Sequence, residues 1–415
     1  MSGRHVVFLE SNLTGSGYEA IAAARRAGHR VTFLTRDLSL YLAPGHERLD
    51  LGLVDEVVTC ETNDPAAVVA AVRGLAHPAD AIVAVGEWHM ISGAEASRAL
   101  GLPGPDPAGV RAARDKSRTR RLCADAGVPV PGFARVGTPE EVHGADLAYP
   151  CVVKPLDDGG SNGVRLCRDA DEAADHVRLL LKETHNERGQ RKIPAALVEE
   201  YVDGPEVSVE ALVRGGEVSV LAVTRKELGE LPYFCETGHH VPAALGSGLD
   251  EACADVAAAA LRAVGFDFGA AHVELRLAAD GPRLIEINCR PAGDRITQLV
   301  ALGTGVDIPA ELVAMYLAPG DAHPLPAPGH HRAAAIAFLP AVEGVVTAVT
   351  GADEAARLPG VLDVGVYVGP GARVRPLPNN TARYGHVVAV APTGPEALRR
   401  ARAAADAVTV TTARA

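Results

Sequence analysis

Short apolar runs alternate with longer stretches where small apolar residues recur every three or four positions. The first run, at 6–10, reads as a buried strand. A polar, glycine-rich segment covers 11–17, and a helix over 18–27 is ended by Gly28. Further strands fall at 31–34 and 81–85, the latter followed by Gly86-Glu87 and a helical stretch from about Ser92. Strands separated by helices imply a parallel, doubly wound sheet, so residues 1–110 are assigned to one α/β domain.

Beyond it the pattern changes. An arginine-rich helix is expected over 111–126, then strands at 151–155 and 164–168 flanking a loop at 157–163, and a helix at 171–182. The charged, turn-rich stretch 183–194 reads as mobile, and a strand at 197–202 ends at Asp203-Gly204-Pro205. Two strands surround Arg214-Gly215-Gly216, and 225–248 reads as a long irregular loop. An alanine-rich helix at 249–264 precedes strands at 270–277 and 283–288, which fold about Ala279-Asp280-Gly281-Pro282. Helices follow near 296–302 and 309–317. The proline-rich stretch 319–329 reads as a linker, and a β-rich tail closes with a helix near 395–407.

Composition narrows the picture. At 415 residues, 47% hydrophobic and 22% charged, the chain is a multidomain globular protein, not a disordered one. No apolar run approaches a membrane span. A net charge of −12 disfavours nucleic acid as a partner. Seven scattered cysteines without a CxxC pair suggest reduced thiols and a cytoplasmic protein. Of the 40 basic residues only five are lysines: Lys116, Lys154, Lys182, Lys192 and Lys226. Where arginine is the default cation, each lysine asks for a reason.

The loop Asp157-Asp158-Gly159-Gly160-Ser161-Asn162-Gly163 lies between strands and lacks a P-loop ending. It reads either as an ordinary hairpin turn or as a lid whose backbone N–H groups meet phosphate oxygens. Lys154, at the end of the preceding strand, and Lys116, early in the basic helix, can reach phosphates, or can be a strand end and a solvated helix face. Glu199-Glu200-Tyr201-Val202 ends a strand whose backbone suits an adenine edge, with Glu206 near enough for ribose. A plain edge strand is the alternative.

The sharpest constellation is Glu274 with Glu286 and Asn288. A turn centred on Asp280 places 274 opposite 286, and alternation puts Glu286 and Asn288 on one face. Facing carboxylates repel unless a cation sits between them, and this oxygen set suits Mg²⁺. Ile285 and Ile287 mark the opposite face as buried. Arg290 can stabilise a transferring phosphoryl group. His239 and His240 lack a third zinc ligand at a fitting spacing. No base stands ready to activate Cys235 or Cys289. Glu87, after a strand end, is a candidate substrate contact.

Taken in order, the N-terminal α/β domain, Arg114-Asp115-Lys116, Val152-Val153-Lys154-Pro155, the glycine-rich hairpin, Glu199-Glu200-Tyr201-Val202 and Glu274 with Glu286-Ile287-Asn288-Cys289-Arg290 resemble the ATP-grasp superfamily. Within it the chain resembles L-amino acid ligases and related carboxylate–amine ligases. That narrower match rests on Glu10-Ser11-Asn12 with Thr14-Gly15-Ser16-Gly17, on Glu236 with Gly238-His239-His240-Val241-Pro242, and on Arg290-Pro291-Ala292-Gly293-Asp294 with Thr304-Gly305-Val306-Asp307. Arg383-Tyr384-Gly385-His386 is similar to their small C-terminal domain.

The resemblance implies a two-lobed ATP-grasp domain at 111–325, with lobes at about 111–198 and 199–325, and a C-terminal α+β domain at 326–415. It implies ATP and Mg²⁺, with Mn²⁺ an alternative, and loosely a homodimer. Lys116 and Lys154 would contact phosphates under a lid of Gly159, Gly160, Ser161, Asn162 and Gly163. Glu199, Tyr201 and Val202 would line the adenine pocket, and Glu206 would hold ribose. Glu274, Glu286 and Asn288 would hold the metal, with Arg290 on the phosphate. His239 or His240, Gly293 and Asp294 would face the substrates. Some relatives carry a bulky aromatic where Asp294 stands, so a polar or cationic amine is admitted here. The implied reaction joins a carboxylate to an amine through an acyl phosphate. An ATP-grasp carboxylase (biotin carboxylase-like or purine-pathway) and a non-catalytic nucleotide-binding protein are the competing readings.

Overall fold

The computed structural model describes residues 3–414 except Thr14, Pro44, Gly45, 319–323, Ala341, Leu377, Pro378, Thr381 and Ala382. Thr14 of the N-terminal motif and the start of the expected linker thus lie outside the described residues. The N-terminal domain holds β1 (His5–Leu9), α1 (Ser16–Arg26), β2 (Arg30–Thr35), β3 (Glu56–Thr59), α2 (Pro65–Arg73), β4 (Ala81–Ala84) and α3 (Met90–Leu100). Its strands form a parallel sheet in the order β3-β2-β1-β4, as the strand–helix alternation requires.

Two helices follow, α4 (Pro107–Arg114) and α5 (Lys116–Asp125), where one was expected over 111–126. The break is Asp115. Its backbone is extended (φ −97°, ψ 101°) and its carboxylate accepts the Ser117 and Arg118 N–H groups, capping α5. The cap turns the first residue of α5, Lys116, toward the loop after residue 155.

A small lobe then holds β5 (Phe133–Val136), β6 (Cys151–Pro155), β7 (Arg165–Cys167), α6 (Ala170–Leu180) and β8 (Ala196–Glu200). Its sheet runs β5-β8-β6-β7, so β8 is central and not the edge strand weighed above. The stretch 183–194 is not a loose excursion. Arg188 is buried, donating to Tyr41 Oη (3.0 Å) and the Ser11 carbonyl (3.2 Å), while Gln190 donates to the Trp88 carbonyl at 2.7 Å.

The central sheet is built from β9 (Glu206–Arg214), β10 (Glu217–Leu228), β11 (Glu236–Val241), β12 (Phe268–Ala278) and β13 (Gly281–Asn288), with α7 (Leu249–Val264), α8 (Ile296–Thr304) and α9 (Ile308–Leu317) against it. The expected loop 225–248 therefore contains a strand. Its pairing partners are β10 and β14 (Ala333–Phe338), the latter almost a hundred residues away, which local sequence does not reveal. The remaining elements are β15 (Gly344–Thr350), α10 (Ala352–Ala356), β16 (Val361–Val366), β17 (Arg373–Val374), β18 (Gly385–Ala391), α11 (Gly394–Ala407) and β19 (Thr409–Ala413). Strands β14, β18 and β16 extend the central sheet to eight, in the order β13-β12-β9-β10-β11-β14-β18-β16.

One core runs from Val7 and Leu9 of the N-terminal sheet through α4 and α7 to Val209, Val273 and Ile287 of the central sheet. The small lobe has its own core around Val136, Cys151, Val153 and Val198. The cleft lies where these separately packed bodies face each other.

Candidate active site

A cleft opens between the small lobe and the central sheet. Antiparallel pairing sets Glu274 directly opposite Glu286, as expected from the turn at Asp280. The register then slips: Leu275 pairs with Leu284, leaving Ile285 as the extra residue of a bulge. Ile285 consequently lines the cleft, contrary to strict alternation, while Leu284, Ile287 and Cys289 enter the core. Its carbonyl accepts from Arg120 at 2.5 Å and Lys154 at 3.4 Å.

The cations that facing carboxylates demand are lysines. Lys116 Nζ is 2.8 Å from Glu286 and donates to the Asp158 carbonyl at 2.6 Å. Lys226 Nζ lies among three carboxylates, at 2.7 Å from Glu236, 2.8 Å from Glu274 and 3.0 Å from Glu206. Burial opposes the Lys226 charge, yet these three acids hold its pKa well above the usual lysine value. Burial likewise works against ionised Glu274, but Lys226 and His272 keep its carboxyl well below the usual range. Lys154 is 2.5 Å from Glu199, whose other oxygen takes the Arg120 guanidinium at 2.5 Å. Glu199 thus anchors two cations at the cleft floor, and Lys154 is pushed down by burial despite it.

Tyr201 and Val202 follow β8 at the cleft rim. Arg276 stacks over Tyr201 at 5.1 Å and over Phe234 at 5.7 Å, giving flat apolar walls on this side. Above the carboxylates the glycine-rich loop is closed over the cleft. The Ser161 hydroxyl donates to the Phe234 carbonyl at 3.0 Å, and the Asn379 amide donates to Asn162 at 2.9 Å. Lys192, in the 183–194 strap, ties the loop by a 2.7 Å pair with Asp158. Gly160 is left-handed (φ 65°), and a Cβ on Gly159 would stand 3.1 Å from Glu87 Oε2, so glycine serves both the turn and the close approach.

At the far end Glu87 pairs with Arg114 and accepts two Arg290 N–H bonds at 2.7 and 3.1 Å. The Asn288 amide, oriented to satisfy both groups, donates to Glu87 at 2.9 and 3.1 Å. Burial would raise this carboxyl, but Arg114, Arg290 and Lys116 hold its pKa at about 2. Alternation along β11 separates the two histidines. His239 Nε2 faces Asp294 at 3.4 Å and Glu236 at 3.5 Å. His240 turns to the other face of the sheet and bonds the Pro242 carbonyl, away from the cleft. Asp294 is bound by both Arg383 nitrogens at 2.6 and 2.7 Å, so its charge is matched from within the chain. Burial drives the Cys289 thiol far up, so that sulfur is not a nucleophile.

All the expected nucleotide and metal residues except Gly163 line this one cleft, together with His239's neighbours Glu236 and Asp294. Sequence reasoning missed Arg120 and Arg276, which no local motif marks, and gave no site role to Arg383, although it stands in the motif that resembles the C-terminal domain. It also missed Lys226, although the scarcity of lysine had pointed to it.

Comparison with known proteins follows the same outline. Residues 18–104 match the model of the ATP-grasp N-terminal domain, 147–298 that of the ATP-grasp domain, and 337–413 that of L-amino acid ligase C-terminal domain 2. An uncharacterized protein of Sinorhizobium fredii is 34% identical over 94% of this chain and 79% of its own length. A D-alanine–D-alanine ligase of Gluconobacter oxydans is 31% identical over 66% of this chain and 83% of its own. Human carnosine synthase 1 is 30% identical over 53% of this chain, which spans only 29% of that protein. The crystal structure of an L-amino acid ligase from Bacillus licheniformis superposes over 100% of both chains with a TM-score of 0.84 at 23% identity, a likeness of fold. Among the described residues no single helix is long and apolar enough to cross a membrane.

Proposed function

The chain belongs to the ATP-grasp family and is an ATP-dependent ligase forming C–N bonds, and we propose that it joins two amino-acid-like substrates through an acyl phosphate. The observation that carries this reading is the convergence of Glu274, Glu286 and Asn288 with Lys116, Lys154 and Arg290 beneath one glycine-rich lid. A substrate carboxylate attacks the γ-phosphoryl group of ATP, and ADP leaves. The amine then attacks the acyl carbon and expels phosphate, making the amide.

Such chemistry needs positioned cations more than a nucleophilic side chain. Lys116 and Lys154 meet phosphate oxygens, each already held by a carboxylate, Glu286 and Glu199. Tyr201, Val202, Phe234 and Arg276 hold the adenine, and Glu206 the ribose. Three hard oxygen donors at Glu274, Glu286 and Asn288 fit Mg²⁺, which when bound neutralises the transferring phosphates. Arg290, aimed by Glu87, takes the oxygens of the transferred group. Glu87 itself, held at about 2, is too weak a base to take the amine's proton and acts as a fixed charge. The closed lid and the strap exclude water from the acyl phosphate.

The test is ADP and phosphate release over pairs of amino acids and other carboxylates, with mass detection of the product. Changing Glu286→Ala is expected to abolish substrate-dependent ADP release while the protein still melts cooperatively. Full activity in that variant contradicts the metal assignment. Turnover that requires bicarbonate and makes no amide points instead to a carboxylase.

A further inference from the structure

A second cavity opens from the lid and Arg290 toward the C-terminal strands, past Leu13, His46, Ile336, Phe338 and Tyr367. Four arginines line it: Arg188, Arg290, Arg295 and Arg383. Three of them already have close acceptors within the chain. Arg290 bonds Glu87, Arg383 binds both oxygens of Asp294, and Arg188 donates to Tyr41 and the Ser11 carbonyl.

Arg295 differs. Besides the Tyr367 hydroxyl, its acceptors are Glu47 and Gln298 at 3.5 Å and Asp363 at 3.8 Å, and these contacts to the two acids are longer than the 2.7–2.9 Å of a charge-assisted bond. Both acids are committed elsewhere. Glu47 accepts the Gly15 N–H at 3.0 Å, and Asp363 bonds His386 at 2.9 Å. The buried Nε of Arg295 has no hydrogen-bond partner among the described residues. Its backbone is left-handed (φ 58°), as is that of Asp294 (φ 55°), a conformation that costs non-glycine residues energy. The surroundings therefore hold an under-satisfied guanidinium fork at the wall of a substrate cavity, with the Tyr367 ring beside it.

Resting on the ligase reading above, we propose that Arg295 determines specificity by holding a spectator carboxylate, one that is neither activated nor lost, on one of the two substrates. That carboxylate is either the free acid of the amine substrate or an acidic side chain on the acid substrate. A planar fork suits a carboxylate in a bidentate pair, and Arg383 of the same cavity already shows that arrangement with Asp294. The opening for a cationic amine beside Asp294 is closed by Arg383, which leaves Arg295 as the charge that a substrate meets.

The experiment measures phosphate release and product mass for wild type, Arg295→Gln and Arg295→Lys. In one arm the amine is glycine against glycinamide and L-alanine against L-alaninamide. In the other the acid is L-glutamate against L-glutamine and L-aspartate against L-asparagine. Wild type is expected to prefer the carboxylate in one arm. Arg295→Gln should raise KM for that substrate about tenfold or more, the loss of one charge-assisted pair, with kcat and the KM for ATP kept. KM for the carboxamide should not move, and Arg295→Lys should recover part of the loss. If Arg295→Gln does not fold, the wild-type preference and the lysine variant decide. Equal use of carboxylate and carboxamide in both arms overturns the role of Arg295 and leaves the ligase reading standing. No phosphate release from any pair, with ATP still bound, removes the ligase reading and this inference with it.

Discussion

Replacing Lys226 by methionine removes the one ammonium shared by Glu206, Glu236 and Glu274 while keeping most of the side-chain volume. The lysine is buried and stands within 3.0 Å of all three acids, so no water shell is ready to take its place. The three charges can then relax by binding a proton. For a carboxyl whose ordinary pKa is 4.5, that costs about 4 kcal/mol near pH 7.5 and under about 1 kcal/mol near pH 5. The larger figure agrees with the roughly 3–5 kcal/mol measured when one partner of a buried pair is removed. With about 2.1 cal/mol/K of unfolding entropy per residue over 415 residues, 1 kcal/mol corresponds to about 1 °C, so the variant should melt about 4–5 °C below wild type at neutral pH.

The sign with pH follows from the same groups. In the variant the folded-state carboxyl pKa values lie above their unfolded values. The proton-bound form is then stabilising below the unfolded pKa, and that stability is lost as pH rises through the folded pKa. In wild type Glu274 is depressed, and its contribution is lost as pH falls through its folded value. The gap between variant and wild type should therefore close toward pH 5. Calorimetric melting from about pH 5 to 8, with and without MgCl₂, checks this, and the metal should restore part of the loss. A variant that melts within about 1 °C of wild type at pH 7.5, or a gap that widens on acidification, refutes the electrostatic account of the cluster.

Two further outcomes are accessible. Glu210 and Glu274 overcome burial and raise the His272 pKa to about 10, so the stability it contributes is complete below about pH 6.5 and lost as pH rises toward 10. Denaturant midpoints should fall over that window in wild type and less steeply in His272→Gln. Arg188→Ala unties the strap from Tyr41 and Ser11, admitting water to the acyl phosphate. The ratio of phosphate released to amide formed should rise above one, measured by phosphate assay and mass detection, and an unchanged ratio removes the strap from the closure.

The legible parts of the site were those fixed by local geometry. Glu274 opposite Glu286 follows from the symmetry of a hairpin about its turn, and Asp280-Gly281 marks that turn plainly. The parallel N-terminal sheet follows from apolar runs separated by helical patterns. Ile285 was misplaced because a bulge breaks the two-residue period, and nothing in Leu284-Ile285-Glu286 announces it. The strand bearing His239 went unseen because one of its two pairing partners, β14, lies almost a hundred residues away. Which histidine faces the cleft depends on that pairing register. Arg383 meets Asp294 across 89 residues, and the 183–194 strap looks like solvent-seeking charge until Arg188 finds Tyr41.

The scarcity of lysine was a better guide than any of these losses suggests. Lys116, Lys154 and Lys226 line the cleft, Lys192 ties its lid through Asp158, and Lys182 alone is exposed. The physical division between the two cations accounts for this. An ammonium is a compact charge on a flexible stem with three rotatable donors, so it can turn from a carboxylate to a phosphate as nucleotide arrives. A guanidinium fork fixes direction through paired bonds, and arginine stands where an aim must persist: Arg290 on Glu87, Arg383 on Asp294, Arg120 between Glu199 and the Ile285 carbonyl. On this division, and under the ligase reading proposed above, Lys116 and Lys154 are the cations that would change partners during the reaction and the arginines the frame that holds still. Exchanging Lys154 for arginine should therefore impair turnover more than it impairs folding.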